Sequence, residues 1–318
     1  MTPDAPAPSR DDSVRATVCL PDENAVDLLG DVPDGVRVVV WDGTGPHPDG
    51  LADTTFWVPQ VEDSDDLEAK FEAMPRVEVV QLTSAGVEDV VGHVPDGVRL
   101  CDARGVHGSS VAELVLALVL ATYRRLPHFI DAQREGEWSL VQGEDLRDKR
   151  VLVVGAGDLG EQTARRLEAF DAVPTLVART ARDGVHSTDE LPELLPEADV
   201  VVLTLPLTPQ TTGLVDAAFL ARMPRGALLV NVARGKVVDT AALLAELESG
   251  RLRAALDVVE PEPLPAGHPL WSAPGLVLTP HAAGHVSAAG PRAFALVREQ
   301  LRRFVEGEPL ENVVEGDY

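Results

Sequence analysis

Val151 to Thr180 reads VLVVGAGDLGEQTARRLEAFDAVPTLVART, and its reading decides the fold. Val151–Val154 form a short aliphatic run suited to a fully buried strand. Gly155, Gly157 and Gly160 follow at G-x-G-x-x-G spacing. The first suits a tight turn, the second lets backbone approach a pyrophosphate, and the third lets helix and strand touch. Ala164, Leu167 and Phe170, set against Glu161, Arg165, Arg166 and Glu168, predict an amphipathic helix. The free N–H groups at its start attract phosphate. A second strand closes at Val177. A glycine triplet alone is weak evidence, but bracketed by strand, helix and strand it points to dinucleotide binding.

The end of that second strand names the cofactor. A carboxylate there reads the ribose hydroxyls of NAD, and an arginine accommodates the 2′-phosphate of NADP. Ala178, Arg179 and Thr180 occupy the position, Arg182 is close behind, and no acid appears before Asp183. Two guanidiniums and a hydroxyl suit a phosphate dianion better than a diol. The plainer alternative is a solvated basic turn. NADP(H) is the expected cofactor, with NAD(H) second.

Outward from this unit, 318 residues allow two medium domains, each with its own core. The net charge of −25 argues against nucleic acid or an anionic membrane as partner. Lys70, Lys149 and Lys236 are the only lysines. Cys19 and Cys101 lack C-x-x-C or metal-ligand spacing and read as reduced core residues of a cytoplasmic protein, with no metal implied. No secretory signal is visible, and residues 1–12, rich in Pro, Ala and Asp, read as a disordered tail. The longest apolar stretch, Val111–Thr122, contains Glu113 and is too short to span a bilayer.

Short strands alternate with helices through the first hundred residues: Val14–Leu20, Val36–Trp41, Thr55–Val58, Val77–Leu82 and Val98–Cys101, with a helix at Asp66–Met74. Two V-P-D-G-V-R turns, at 32–37 and 94–99, punctuate them. Ser110 and Glu113 suggest a capping box opening an apolar helix. Further strands are expected at Asp199–Leu203, Ala227–Val232 and Leu276–Leu278, and a last helix at Ser287–Val305. The alternation implies α/β architecture with doubly wound parallel sheets.

Three stretches then end predicted strands: Asn231–Gly235 (N-V-A-R-G), Ala255–Pro263 (A-L-D-V-V-E-P-E-P) and Leu278–Gly284 (L-T-P-H-A-A-G). Doubly wound sheets bind ligands at that edge. Arg234, Glu262 and His281 therefore meet on one rim. Arg234 suits the carboxylate and carbonyl of a 2-keto acid, His281 suits proton delivery to the carbonyl oxygen, and Glu262 suits orienting the imidazole. His285 competes with His281 as the acid. Singly, each of these residues has an ordinary surface reading. Together, behind a dinucleotide motif, they suit hydride transfer between a nicotinamide and a 2-keto or 2-hydroxy acid.

These motifs, with Ser84-Ala85-Gly86-Val87 and L-P-L-T-P-Q-T at 205–211, resemble the D-isomer-specific 2-hydroxyacid dehydrogenase family over nearly the whole chain. The resemblance implies a flavodoxin-like substrate domain at 13–106 and 285–318 and an inserted Rossmann cofactor domain at 107–284, in a homodimer. It implies Arg234, Glu262 and His281 as catalytic. Cofactor contacts carry over to Gly155, Gly157, Asp158, Leu159, Gly160, Leu205, Pro206, Thr211, Val232, Asp257 (for the carboxamide) and Gly284. Substrate contacts carry over to the backbone at Ala85 and Gly86, and to Arg234 and His281. Within the family, V-A-R-T at 177–180 and F-W-V-P at 56–59 resemble the NADPH-dependent glyoxylate/hydroxypyruvate reductases, placing Trp57 either at the pocket or in the core. Val259 departs from the more usual Phe. The expected reaction is NADPH-dependent reduction of a small 2-keto acid to the D-2-hydroxy acid. Alternatives are an NAD-dependent or phosphoglycerate-type dehydrogenase, or a nucleotide-sensing corepressor or scaffold without catalysis.

Overall fold

The computed structural model describes residues 14–60 and 66–315; the expected tail at 1–12 lies outside the described residues. The chain divides into two compact units, residues 1–106 with 287–318, and residues 107–286.

The first unit holds β1 (Ala16–Leu20), α1 (Glu23–Leu29), β2 (Val36–Val40), β3 (Phe56–Trp57), α2 (Leu67–Ala73), β4 (Val79–Gln81) and β5 (Arg99–Cys101), with the C-terminal helix Ala289–Glu306. Its sheet is all parallel in the order β2-β1-β3-β4-β5, the flavodoxin-like winding. Side-chain alternation along each strand feeds two cores. Phe56, Val18 and Leu20 meet Phe294, Val297 and Leu301 of the C-terminal helix on one face. Trp57, Cys19 and Val80 meet Phe71 and Met74 on the other. The two V-P-D-G turns are the same device used twice: Gly35 (φ 83°) and Gly97 (φ 86°) sit left-handed, and the Val36 and Val98 N–H groups donate back to Pro33 and Pro95. Burial pushes the Cys19 thiol up to about 12 and Cys101 to about 11, so neither is a thiolate near neutral pH.

The second unit holds α3 (Gly108–Tyr123), α4 (Leu126–Glu135), β6 (Arg150–Val154), α5 (Asp158–Glu168), β7 (Val173–Ala178), β8 (Val185–Ser187), α6 (Leu191–Leu194), β9 (Val200–Leu203), α7 (Ala217–Arg222), β10 (Leu228–Asn231), α8 (Thr240–Glu248), β11 (Arg253–Leu256) and β12 (Leu276–Leu278). Its seven strands are parallel in the order β12-β11-β10-β9-β6-β7-β8, so the winding reverses between β6 and β9, as in a Rossmann sheet. Helices α3 and α5 pack together, and α3 buries ten of its sixteen residues.

Two local expectations are corrected. Helix α3 starts at Gly108, not at a Ser110 cap: the Ser110 hydroxyl donates to the His107 carbonyl from inside the first turn. Gly108 is pressed so closely on Asp158 that a methyl there would lie 2.0 Å from Oδ2. Phe170 falls beyond the end of α5 and is exposed, leaving Ala164 and Leu167 to carry that helix's buried side. Strand β8 and helices α1, α4 and α6 lie outside the elements expected from the sequence. No helix among the described residues is long and apolar enough to cross a membrane.

Candidate active site

The glycine loop leaves β6 at the winding reversal. Gly155 has φ 116°, and a methyl there would lie 2.6 Å from the Thr204 carbonyl carbon and oxygen, in the segment leaving β9. A methyl at Gly160 would lie 1.8 Å from the Gly155 carbonyl oxygen, so α5 stands on the loop itself. At Gly157, by contrast, a methyl meets no atom within 4 Å. Two glycines are closed by packing and the middle one is open, which is what a dinucleotide pyrophosphate requires. Asp158 and Leu159 open α5, in the first turn, whose N–H groups have no acceptor within the helix. The Thr204 hydroxyl donates to the Gly155 carbonyl at 2.9 Å and fixes the turn.

At the end of β7, Arg179, Thr180 and Arg182 are exposed. Arg182 folds back over the glycine loop: Nη2 donates to the Ala156 carbonyl at 2.6 Å and lies 3.7 Å from Glu161. The turn after β7 is thereby tied to the glycine loop after β6.

Arg234 leaves the C-terminal end of β10. Buried Asn231 spans its loop, donating from Nδ2 to the Arg234 carbonyl at 3.0 Å and accepting the Ala233 N–H at 3.0 Å. The half-buried guanidinium donates to the Ala233 carbonyl at 2.8 Å. Next door, Gly235 seats directly on the segment leaving β11, where a methyl would lie 1.8 Å from the Val259 carbonyl oxygen. The Thr240 hydroxyl donates to the Glu260 carbonyl across the same seam. Arginine loop and glutamate loop are therefore one packed body.

His281 leaves β12, and its Nδ1 lies 2.6 Å from Glu262 Oε1. The imidazole is 50% exposed. His281 is a non-glycine residue with φ 53°, a conformation that costs free energy and persists only when the surroundings enforce it. Asp257 enforces it. Its backbone carbonyl accepts the His281 N–H at 2.7 Å. Its buried carboxylate accepts the Thr279 hydroxyl (2.5 Å) and the Ala282 N–H (2.8 Å) on Oδ1, and the Ala283 N–H (3.0 Å) on Oδ2. With about four lone-pair positions available, a carboxylate so engaged keeps one for a further donor.

The remaining sequence candidates fall around the same edge or in the other unit. Leu205 and Val232 are buried, Pro206 is exposed, and the Thr211 hydroxyl donates to the Pro206 carbonyl at 2.7 Å, closing the turn after β9. Gly284 is half-buried beside His107, and His285 is exposed with its N–H on the Ala282 carbonyl. In the first unit, Ala85 and Gly86 are half-buried in the loop after β4, which the Ser84 hydroxyl braces against the Gly86 carbonyl. Trp57 is 3% exposed and stacks edge-on against Phe71, the core alternative rather than a pocket wall. Sequence reading assigned no role to Asn231, Thr204, Gly235 or Thr279, although three of these lie inside quoted motifs. Among the described residues no cluster of three His, Cys, Asp or Glu is placed to hold a metal ion.

Residues 116–283 match the model of the D-isomer specific 2-hydroxyacid dehydrogenase NAD binding domain. Among solved structures, a D-isomer specific 2-hydroxyacid dehydrogenase from Xanthobacter autotrophicus Py2, in complex with NADPH and MES, is 34% identical with a TM-score of 0.81. The match covers 95% of this chain and 98% of that one. The glyoxylate reductase of Thermofilum pendens is 34% identical over 252 residues, 74% of each chain. The D-3-phosphoglycerate dehydrogenase of Methanocaldococcus jannaschii is 34% identical over 256 residues, 76% of this chain; the chain spans about half that protein's length, 48%.

Proposed function

Because the chain belongs to the D-isomer specific 2-hydroxyacid dehydrogenase family, we propose that it reduces a small 2-keto acid, glyoxylate- or hydroxypyruvate-like, to the D-2-hydroxy acid with NADPH. The observation that carries the reading is the 2.6 Å contact between Glu262 and His281, on a loop next to that of Arg234. With Nδ1 held by the carboxylate, the protonated ring presents Nε2–H to the carbonyl oxygen of a substrate. Arg234 holds the substrate carboxylate and draws electron density from the carbonyl. NADPH, when bound, supplies the hydride. In the oxidative direction the same imidazole takes the proton back.

The loop described above fits a dinucleotide, with Gly157 open between two packed glycines. Arg179, Thr180 and Arg182 support NADP(H) over NAD(H), as does the absence of a carboxylate before Asp183. The NADPH-bound X. autotrophicus relative favours the same cofactor. A phosphoglycerate-type substrate is the second reading, prompted by the M. jannaschii relative. A corepressor without catalysis would have no need of the strained, braced His281. Exposed Leu126 and Ile130 on α4, with Trp138 (103%) and Leu140 (91%) just after it, support a homodimer. Buried, unreactive thiols are in keeping with the cytoplasm.

A steady-state screen of NADH and NADPH against glyoxylate, hydroxypyruvate, 3-phosphohydroxypyruvate, pyruvate, phenylpyruvate and branched 2-keto acids tests the reading. The expected result is preferred turnover of the two smallest polar acids with NADPH. Arg179→Ala should raise the KM for NADPH and leave that for NADH nearly unchanged; equal losses refute the phosphate-reading assignment. NADPH binding without turnover of any acid would favour the corepressor.

A further inference from the structure

The chemistry above sits where the strands of the second unit end. Where they begin, a separate cavity of about 440 Å³ opens below β6, β9, β10, β11 and β12. Its walls carry Arg125, Lys149, Arg225 and Arg253 against two carboxylates, Glu144 and Asp199, in a chain of net charge −25. An excess of cations in so acidic a protein is held against the general trend of its composition.

Lys149 and Arg253 converge on one ring and one carboxylate. Tyr123 is buried at the back, with Lys149 Nζ 5.3 Å and the Arg253 guanidinium 5.0 Å from its ring centroid. Between them Glu144 accepts from Lys149 Nζ at 3.0 Å and from Arg253 Nη1 at 2.9 Å. The chain thus already places one carboxylate where two cations meet. Exposed Arg225 donates to the Gly250 carbonyl at 3.4 Å. Asp199 spends one oxygen on the Arg150 N–H. None of these side chains belongs to the glycine loop, the ribose turn or the loops of Arg234, Glu262 and His281.

We propose that this cavity binds a compact polyanion through carboxylate or phosphate oxygens, with Glu144 as the internal competitor for Lys149 and Arg253. The inference is independent of the catalytic reading, because neither its residues nor its test requires turnover.

Isothermal titration of the full chain with citrate, and separately with inorganic phosphate, tests it. Four variants are compared with the parent: Arg225→Glu, Glu144→Gln, Arg179→Ala and Arg234→Ala. A charged hydrogen bond gained or lost changes affinity by about tenfold or more. The expected result is binding of at least one anion, weakened at least about tenfold by R225E and tightened about tenfold by E144Q, with R179A and R234A unchanged. Which anion binds tells a carboxylate site from a phosphate site. E144Q also guards against a folding artefact, since general damage to the unit does not tighten a ligand. Absence of binding to both anions, or binding that is lost in R179A or R234A and kept in R225E, overturns the proposal.

Discussion

Gly235→Ala probes the seam that holds Arg234 against the Glu262 loop. An alanine Cβ would lie 1.8 Å from the Val259 carbonyl oxygen, 2.1 Å from its carbon and 2.8 Å from the Glu260 nitrogen. Ordinary contact begins near 3.4 Å, so the two segments must part by about 1.6 Å. All three clashing atoms are backbone, so no rotamer change relieves them. Overpacking of this kind costs about 1–3 kcal/mol. At about 2–4 °C per kcal/mol for a unit of this size, Tm should fall by roughly 2–12 °C. A displacement near 1 Å among catalytic groups lowers rate by on the order of 10². The assay is kcat/KM for glyoxylate with NADPH, run beside NADPH titration by nucleotide fluorescence. Turnover should fall about a hundredfold while NADPH affinity stays within about twofold, because the glycine loop lies on β6. Gly157→Ala is the mirror control: with no atom near the added methyl, the fold should hold and the cofactor should be lost. Turnover in G235A within about threefold of the parent would refute the claim that this seam sets the catalytic geometry.

Other substitutions separate the remaining roles. His281→Ala should lower kcat by on the order of 10²–10⁴ with NADPH affinity retained; a loss below tenfold in steady-state kinetics would transfer the acid role to His285 or water. Asn231→Ala strands the Arg234 carbonyl and the Ala233 N–H, so denaturant unfolding should show a loss of about 1–3 kcal/mol together with reduced kcat. Gly160→Ala drives a methyl into the Gly155 carbonyl and should abolish binding of both NADPH and NADH in fluorescence titration, unlike the selective loss expected of R179A.

What the sequence made legible was whatever repeats at short range. The aliphatic runs that became β6, β9 and β10 and the spacing of Gly155, Gly157 and Gly160 are local patterns, and each fell within a residue or two of its expected place. Arg234, Glu262 and His281 stood out because their motifs end strands, and adjacent parallel strands bring such ends to one edge. The parts that stayed hidden depend on partners far along the chain. Gly235 is required by Val259, and the role of Asp257 is set by the backbone of Ala282 and Ala283, neither of which any periodicity reports. Ser110 carried a capping signal, but the helix starts two residues earlier, at Gly108, and the Ser110 hydroxyl turns back to the His107 carbonyl. Strand β8 is three residues long, with His186 and Ser187 in it, too brief and polar to declare itself. Trp57 had two readings that only packing separates, and the core took it.

The cavity below the strands has a practical consequence through the scarcity of lysine. Of the three side-chain amines, Lys70 is buried, Lys149 stands in the cavity wall, and exposed Lys236 follows Arg234 by two residues. An acylating reagent therefore finds one target at either margin of a single sheet. Protection of Lys236 by a keto acid and of Lys149 by citrate, read as two peptides in one mass spectrum, would report the occupancy of both margins on the same molecules.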